Sequence, residues 1–123
     1  MSAEAQTPAP QKDKHINVYY FYGNYRCVSC YKIEKYTKEA LYKYFGDELE
    51  SGKLAYKTVN VEKKSNAHFI DDYGLYTKSV IVSLVNDGKE VRYKNLDNVW
   101  GYLGNREKFY EYIKDEVSLF LKE

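Results

Sequence analysis

The sequence predicts an α/β domain: a mixed four-stranded sheet with helices on both faces, in the order strand, helix, strand, helix, strand, strand, helix. Three observations carry this. The runs INVYYFY (16–22), KLAYKTVNV (53–61) and SVIVSLV (79–85) have the length and the β-branched and aromatic content of strands. The segments between them repeat apolar residues at helical spacing. NDGK (86–89) is a hairpin signal leading into EVRYKNL. Alternating elements imply parallel strands joined by a crossover, and the hairpin adds an antiparallel pair.

INVYYFY is apolar at nearly every position, as a central strand covered on both faces should be. GNYR then turns the chain. From Cys27 onward, Ile33, Tyr36, Ala40, Leu41, Tyr44 and Phe45 fall on one helical stripe that stops at Gly46. After the second strand, Ser65 or Asn66 is placed to cap a short helix carrying Ala67, Phe69, Ile70 and Tyr73, closed by Gly74. A loop around VWGYLGN precedes the last helix, which starts near Asn105. Its inner side is expected to show Phe109, Tyr112 or Ile113, Val117, Phe120 and Leu121.

Residues 15–123 thus form one domain, a length that buries most of the unfolded surface around a single core. Residues 1–14 hold both prolines and almost no large apolar side chain, so they are expected to form a flexible arm. Such an arm suggests an exported, envelope-facing protein with its leader removed, a cytosolic thiol protein being the other reading. The net charge of +1 comes from 19 basic and 18 acidic residues scattered along the chain, which argues against nucleic acid as a partner. No apolar run approaches the roughly 20 residues that span a bilayer. Most of the fifteen tyrosines are expected to serve packing, ring buried and hydroxyl wet.

The chemistry concentrates at CVSC, residues 27–30, which holds the only two cysteines. They sit just past the end of the first strand and at the head of the first helix, the active end of such a sheet. At a helix amino end, free N–H groups and the dipole stabilise a thiolate. Cys27 is therefore the expected exposed nucleophile, and Cys30, about one turn on, the buried resolver. Arg26 and Lys32 add positive charge, so the Cys27 pKa should fall below the free value of about 8.5. Glu34 lies one turn beyond Cys30 and is read as a solvated residue, proton transfer being its alternative role. A buried disulfide or an inert pair is the bland alternative for the cysteines.

The order of elements and the placement of CVSC, of YGLYTKSVIVSLV and of the NDGKEV hairpin resemble the thioredoxin fold over about residues 16–121, without its extra first strand and helix. More narrowly, YYFYGNYRCVSCYKIEK followed by FGDELESGKLAYKTVNVE is similar to small bacterial thioredoxin-like proteins labelled as a nitrophenyl-compound nitroreductase subunit family. The resemblance implies thiol–disulfide exchange through Cys27 and Cys30 with a disulfide- or thiol-containing protein partner, by a monomer without a cofactor. Three positions depart from the family pattern. Ser79 stands where the cis-proline is usual, Phe21 falls where the buried acid is usual, and Arg26 replaces the aromatic residue before the first cysteine.

Two other readings stay open. Ser79 relaxes the crowding that proline imposes on the sulfurs, so the pair is also a candidate clamp for copper, zinc or arsenite. Zinc normally takes four ligands, of which one CxxC supplies two. His15 and His68, the only histidines, are read as surface or edge residues. The third reading is an interaction module without catalysis, with Tyr25 and Tyr31 the best placed rim residues. Tyr20 and Tyr22 are assigned to the core, and Trp100 to packing.

Overall fold

A computed structural model describes residues 14–75 and 77–123. The expected arm lies outside the described residues except for Lys14, which opens the first strand. Strand β1 runs Lys14–Tyr22, helix α1 Val28–Tyr44, helix α2 Gly46–Ser51 and strand β2 Leu54–Asn60. A 3-10 turn at Lys64–Asn66 precedes helix α3, His68–Tyr73. Strands β3 (Ser79–Asn86) and β4 (Lys89–Asn95) follow, then a 3-10 turn at Asp97–Tyr102 and helix α4, Arg106–Leu121.

The sheet order is β2-β1-β3-β4, with β1 parallel to β2 and antiparallel to β3, and β3 antiparallel to β4. This is the predicted mixed sheet, and its connectivity is that of a thioredoxin-like fold without the extra first strand and helix. The two middle strands are the two most apolar, because only they are paired on both edges and covered on both faces. Edge strand β4 is exposed along most of its length, and its charged Lys89, Glu90, Arg92 and Lys94 discourage pairing with another chain.

Alternation along β1 divides the molecule. Ile16, Val18 and Tyr20 join Ile33, Leu41, Phe109, Ile113 and Val117 in the main core, which α1 and α4 close together. Tyr19 and Phe21 point the other way, onto Phe69 and Tyr73 of α3. Helices therefore cover both faces, but the second face has only a six-residue helix over it. The NDGK turn has Asp87 at φ 57° and Gly88 at φ 79°, the paired positive dihedrals of a type I′ hairpin.

Several local readings change. Gly46 does not end the helical region but begins α2, whose first turn carries Asp47 and Glu48 against the helix dipole. Gly52, at φ 88°, is the true stop. Neither Ser65 nor Asn66 caps α3. Ala67 holds that position without a side-chain bond, and the Asn66 amide instead donates to the Asn60 carbonyl at 3.0 Å. The last helix does start beside Asn105, whose side chain caps α4 by accepting from the Lys108 N–H at 3.2 Å. Its buried side is Phe109, Tyr110, Ile113, Val117 and Phe120, with Tyr112 and Leu121 at the margin. No described helix is long and apolar enough to cross a membrane.

Candidate functional site

The turn from β1 into α1 is tied down before it reaches the cysteines. Glu62, just past β2, accepts from the Asn24 backbone N–H at 2.6 Å, and the Asn60 amide donates to the Asn24 side-chain oxygen at 2.9 Å. Gly23 makes this approach possible, since a Cβ there would stand 2.4 Å from the Glu62 carboxylate. The chain leaves this clamp with Cys27 as the cap of α1.

Cys27 is extended at φ −115° and ψ 172°, and its sulfur accepts from the Cys30 N–H at 3.3 Å. It is partly exposed, whereas Cys30 is fully buried, and both are free thiols. The expected placement of nucleophile and resolver is thus what the backbone sets up. The Cys27 pKa is lowered, first by the Cys30 thiol hydrogen-bonded to it, then by the Cys30 N–H, with lesser help from the Ser29 N–H and from the charge of Lys78.

Lys78 takes the electrostatic role that the sequence reading gave to Arg26 and Lys32. Arg26 is committed elsewhere. Its guanidinium pairs with Glu34 and lies 4.3 Å from the ring centroids of both Tyr22 and Tyr31. Glu34 is therefore an ion-pair partner rather than a solvated residue. Lys32 is exposed on the helix. The loop that carries Lys78 is held by Trp100, whose indole N–H donates to the Lys78 carbonyl at 3.2 Å. Trp100 is the packing anchor expected, and it also places the cation.

Ser79 is 5% exposed and pairs with Phe21 across the sheet. Its hydroxyl donates to the Thr77 carbonyl at 2.9 Å, and no peptide bond among the described residues is cis. Phe21, the position of the missing acid, faces α3 and stacks on Tyr19 with centroids 5.1 Å apart. The polar group beneath the helix is its neighbour Tyr20. The Tyr20 hydroxyl donates to the Cys30 carbonyl at 2.8 Å, and burial above all pushes its pKa well up, so it remains a protonated donor. The assignment of Tyr20 to the core stands, but it also braces the first turn of α1. Tyr20→Phe should lower stability by about 1 kcal/mol, the usual net worth of one hydrogen bond. Urea unfolding measures this as a lower midpoint at unchanged slope.

Tyr25 (72% exposed), Val28 (76%) and Tyr31 (55%) surround Cys27 with accessible apolar surface. The Tyr25 ring carries the Lys78 ammonium at 5.6 Å. His15 lies on β1 at the end away from the cysteines, and His68 is bonded to Asp72 on α3 at 2.7 Å. Among the described residues no group of three or more His, Cys, Asp or Glu is placed to hold a metal ion. The pair thus offers two thiolates from one chain, short of the four ligands of a closed zinc site.

Lys78, Tyr20 and Glu34 acquire their roles through contacts distant in sequence. A polar residue within the first strand was the one available signal: Asn17 marks the parity of the face that Tyr19 and Phe21 share, and so assigns Tyr20 to the other.

No family model matches the chain, and no curated protein matches it. Solved structures similar to it include the thioredoxin of Fasciola hepatica, 22% identical, with 82% of this chain and 80% of that one covered at a TM-score of 0.46. Thioredoxin O2 of Arabidopsis thaliana in its oxidised state is 15% identical, covering 78% and 76%, at 0.46. Mitochondrial thioredoxin 3 of Saccharomyces cerevisiae, also oxidised, is 15% identical, covering 84% and 78%, at 0.43.

Proposed function

We propose that the chain is a thiol–disulfide oxidoreductase acting on a protein partner. The observation that carries this is Cys27 at the α1 cap, partly exposed, its pKa lowered by hydrogen bonds from the buried Cys30. In the reductive direction the Cys27 thiolate attacks one sulfur of a partner disulfide. That S–S bond breaks, a mixed disulfide forms, and the first partner sulfur leaves as a thiolate. Cys30, as its thiolate, then attacks the Cys27 sulfur and expels the second partner sulfur. The partner gains two electrons and two protons, and Cys27–Cys30 becomes a disulfide that a dithiol must reduce before the next cycle. The oxidative direction reverses these steps.

Tyr25, Val28 and Tyr31 supply an apolar rim suited to a protein surface around the target sulfur. The test is reduction of insulin disulfides with dithiothreitol as the terminal reductant. Turnover above the dithiothreitol background supports the proposal. No turnover, together with copper or arsenite binding that Cys30→Ser abolishes, would replace it with the metal-clamp reading.

A further inference from the structure

We propose that the second face of the sheet carries a separate binding site for a ligand bearing a primary ammonium group. Helix α3 packs over Tyr19 and Phe21, at the cysteine end of β1. Towards the other end lies an open cavity of about 630 Å³, lined among others by Asn17, Tyr19, Asp72, Tyr73, Ser83 and Glu90. It is distinct from the redox site: neither cysteine lines it, and its walls come from β1, β3, β4 and α3.

Its polar atoms decide the chemistry. Asn17 is 5% exposed, and its side-chain oxygen is a buried acceptor with no donor among the described residues. The Asn17 amide nitrogen is used, donating to the Tyr19 hydroxyl at 3.4 Å. A buried acceptor without a donor is an uncommon feature that a ligand N–H would satisfy. Glu90 supplies a carboxylate held in place by two hydroxyl donors, Tyr73 and Ser83, each at 2.5 Å. Asp72, bonded to His68, adds a second carboxylate. Among the described residues no lysine or arginine lines the cavity, and the one basic side chain in its wall is the His15 imidazole. Lys57 reaches the Tyr19 ring at 6.0 Å without lining it.

Two carboxylates and an orphaned carbonyl oxygen repel an anion and invite a compact cation with several N–H donors. A coordinated metal ion fits poorly, since the described residues bring no three metal-ligating side chains together. An ammonium group brings three donors, enough for the Asn17 oxygen and the Glu90 carboxylate, whose Ser83 donor stands opposite Asn17 across the sheet, while Asp72 adds negative charge further out. Its source is either a free alkylamine or a lysine side chain of another protein.

The experiment is an NMR titration of the isotope-labelled full chain with n-butylammonium chloride, with n-butanol and sodium butyrate as controls, and with a blocked lysine-containing tripeptide as a second ligand. The expected result is saturable shifting of the Asn17 side-chain amide by n-butylammonium and by neither control. Glu90→Gln, which keeps an acceptor for both hydroxyls, should weaken binding about tenfold, and Asp72→Asn, on the exposed side of α3, should weaken it less. Neither variant should change Cys27 alkylation. Saturation by the tripeptide as well assigns the site to a lysine side chain, and saturation by butylammonium alone assigns it to a free amine. Shifts that never saturate, that n-butanol reproduces, or that Glu90→Gln leaves unchanged would overturn the proposal.

Discussion

Cys27→Ser should reduce disulfide reduction to the background rate, whereas Cys30→Ser should leave a protein that reacts once and stays joined to its target. The asymmetry follows from the two environments. Cys27 is the accessible sulfur, with its thiolate favoured by the Cys30 thiol and N–H groups. A serine hydroxyl in its place is not ionised at neutral pH and cannot attack a disulfide. Cys30 is buried behind it and reaches the Cys27 sulfur rather than a partner. Without Cys30 the mixed disulfide has no neighbouring thiol to resolve it, so the covalent adduct accumulates. Non-reducing electrophoresis reads this as a stable higher-mass band that dithiothreitol dissolves. If Cys30→Ser turned over like the wild type, Cys30 would not be the resolver, and if the trapped target were bound to Cys30 in a Cys27→Ser protein, the roles would be reversed.

The largest effect on stability is expected at Phe109→Ala. Phe109 is fully buried where α4 meets α1, with its ring edge-on to Tyr36 at 5.4 Å between centroids. Removing it takes away most of an aromatic side chain and leaves a cavity that two helices cannot readily collapse, at a cost of about 3–5 kcal/mol. Small domains have about 5–15 kcal/mol in total, so the variant should melt more than about 10 °C lower. Leu119→Ala, on the same helix but 53% exposed, is the control and should stay within about 0.5 kcal/mol. Equal losses for the two variants would show that α4 does not pack as described.

The parts of this architecture that were readable in the sequence are those set by local rules. INVYYFY became the central strand because an unbroken apolar run needs cover on both faces, and NDGK became a type I′ turn because Asp and Gly tolerate positive φ. CVSC became a cap and first turn because the apolar stripe that follows has helical spacing. What stayed hidden was local punctuation with two meanings, and long-range contact. Gly46 reads as a helix stop by composition, but it opens α2, where acidic residues in the first turn and a left-handed Gly52 at the end outweigh its poor helical propensity. Asn66 reads as a cap but was drawn to the Asn60 carbonyl. Arg26 reads as the cation beside the thiolate, yet Glu34 and two tyrosine rings hold it, and Lys78, more than fifty positions away, is brought in by Trp100. Within β1 only Asn17 hints at which side chains share a face, and no local rule shows that the Tyr20 hydroxyl reaches the Cys30 carbonyl.

The activation of Cys27 is read out by the pH dependence of its alkylation. In the fully reduced chain, iodoacetamide should modify Cys27 while buried Cys30 is spared, and the rate should follow the Cys27 thiolate. The midpoint should lie below the free-cysteine value of about 8.5 and move upward in Lys78→Gln. A midpoint at or above that of free cysteine, insensitive to Lys78, would contradict that activation.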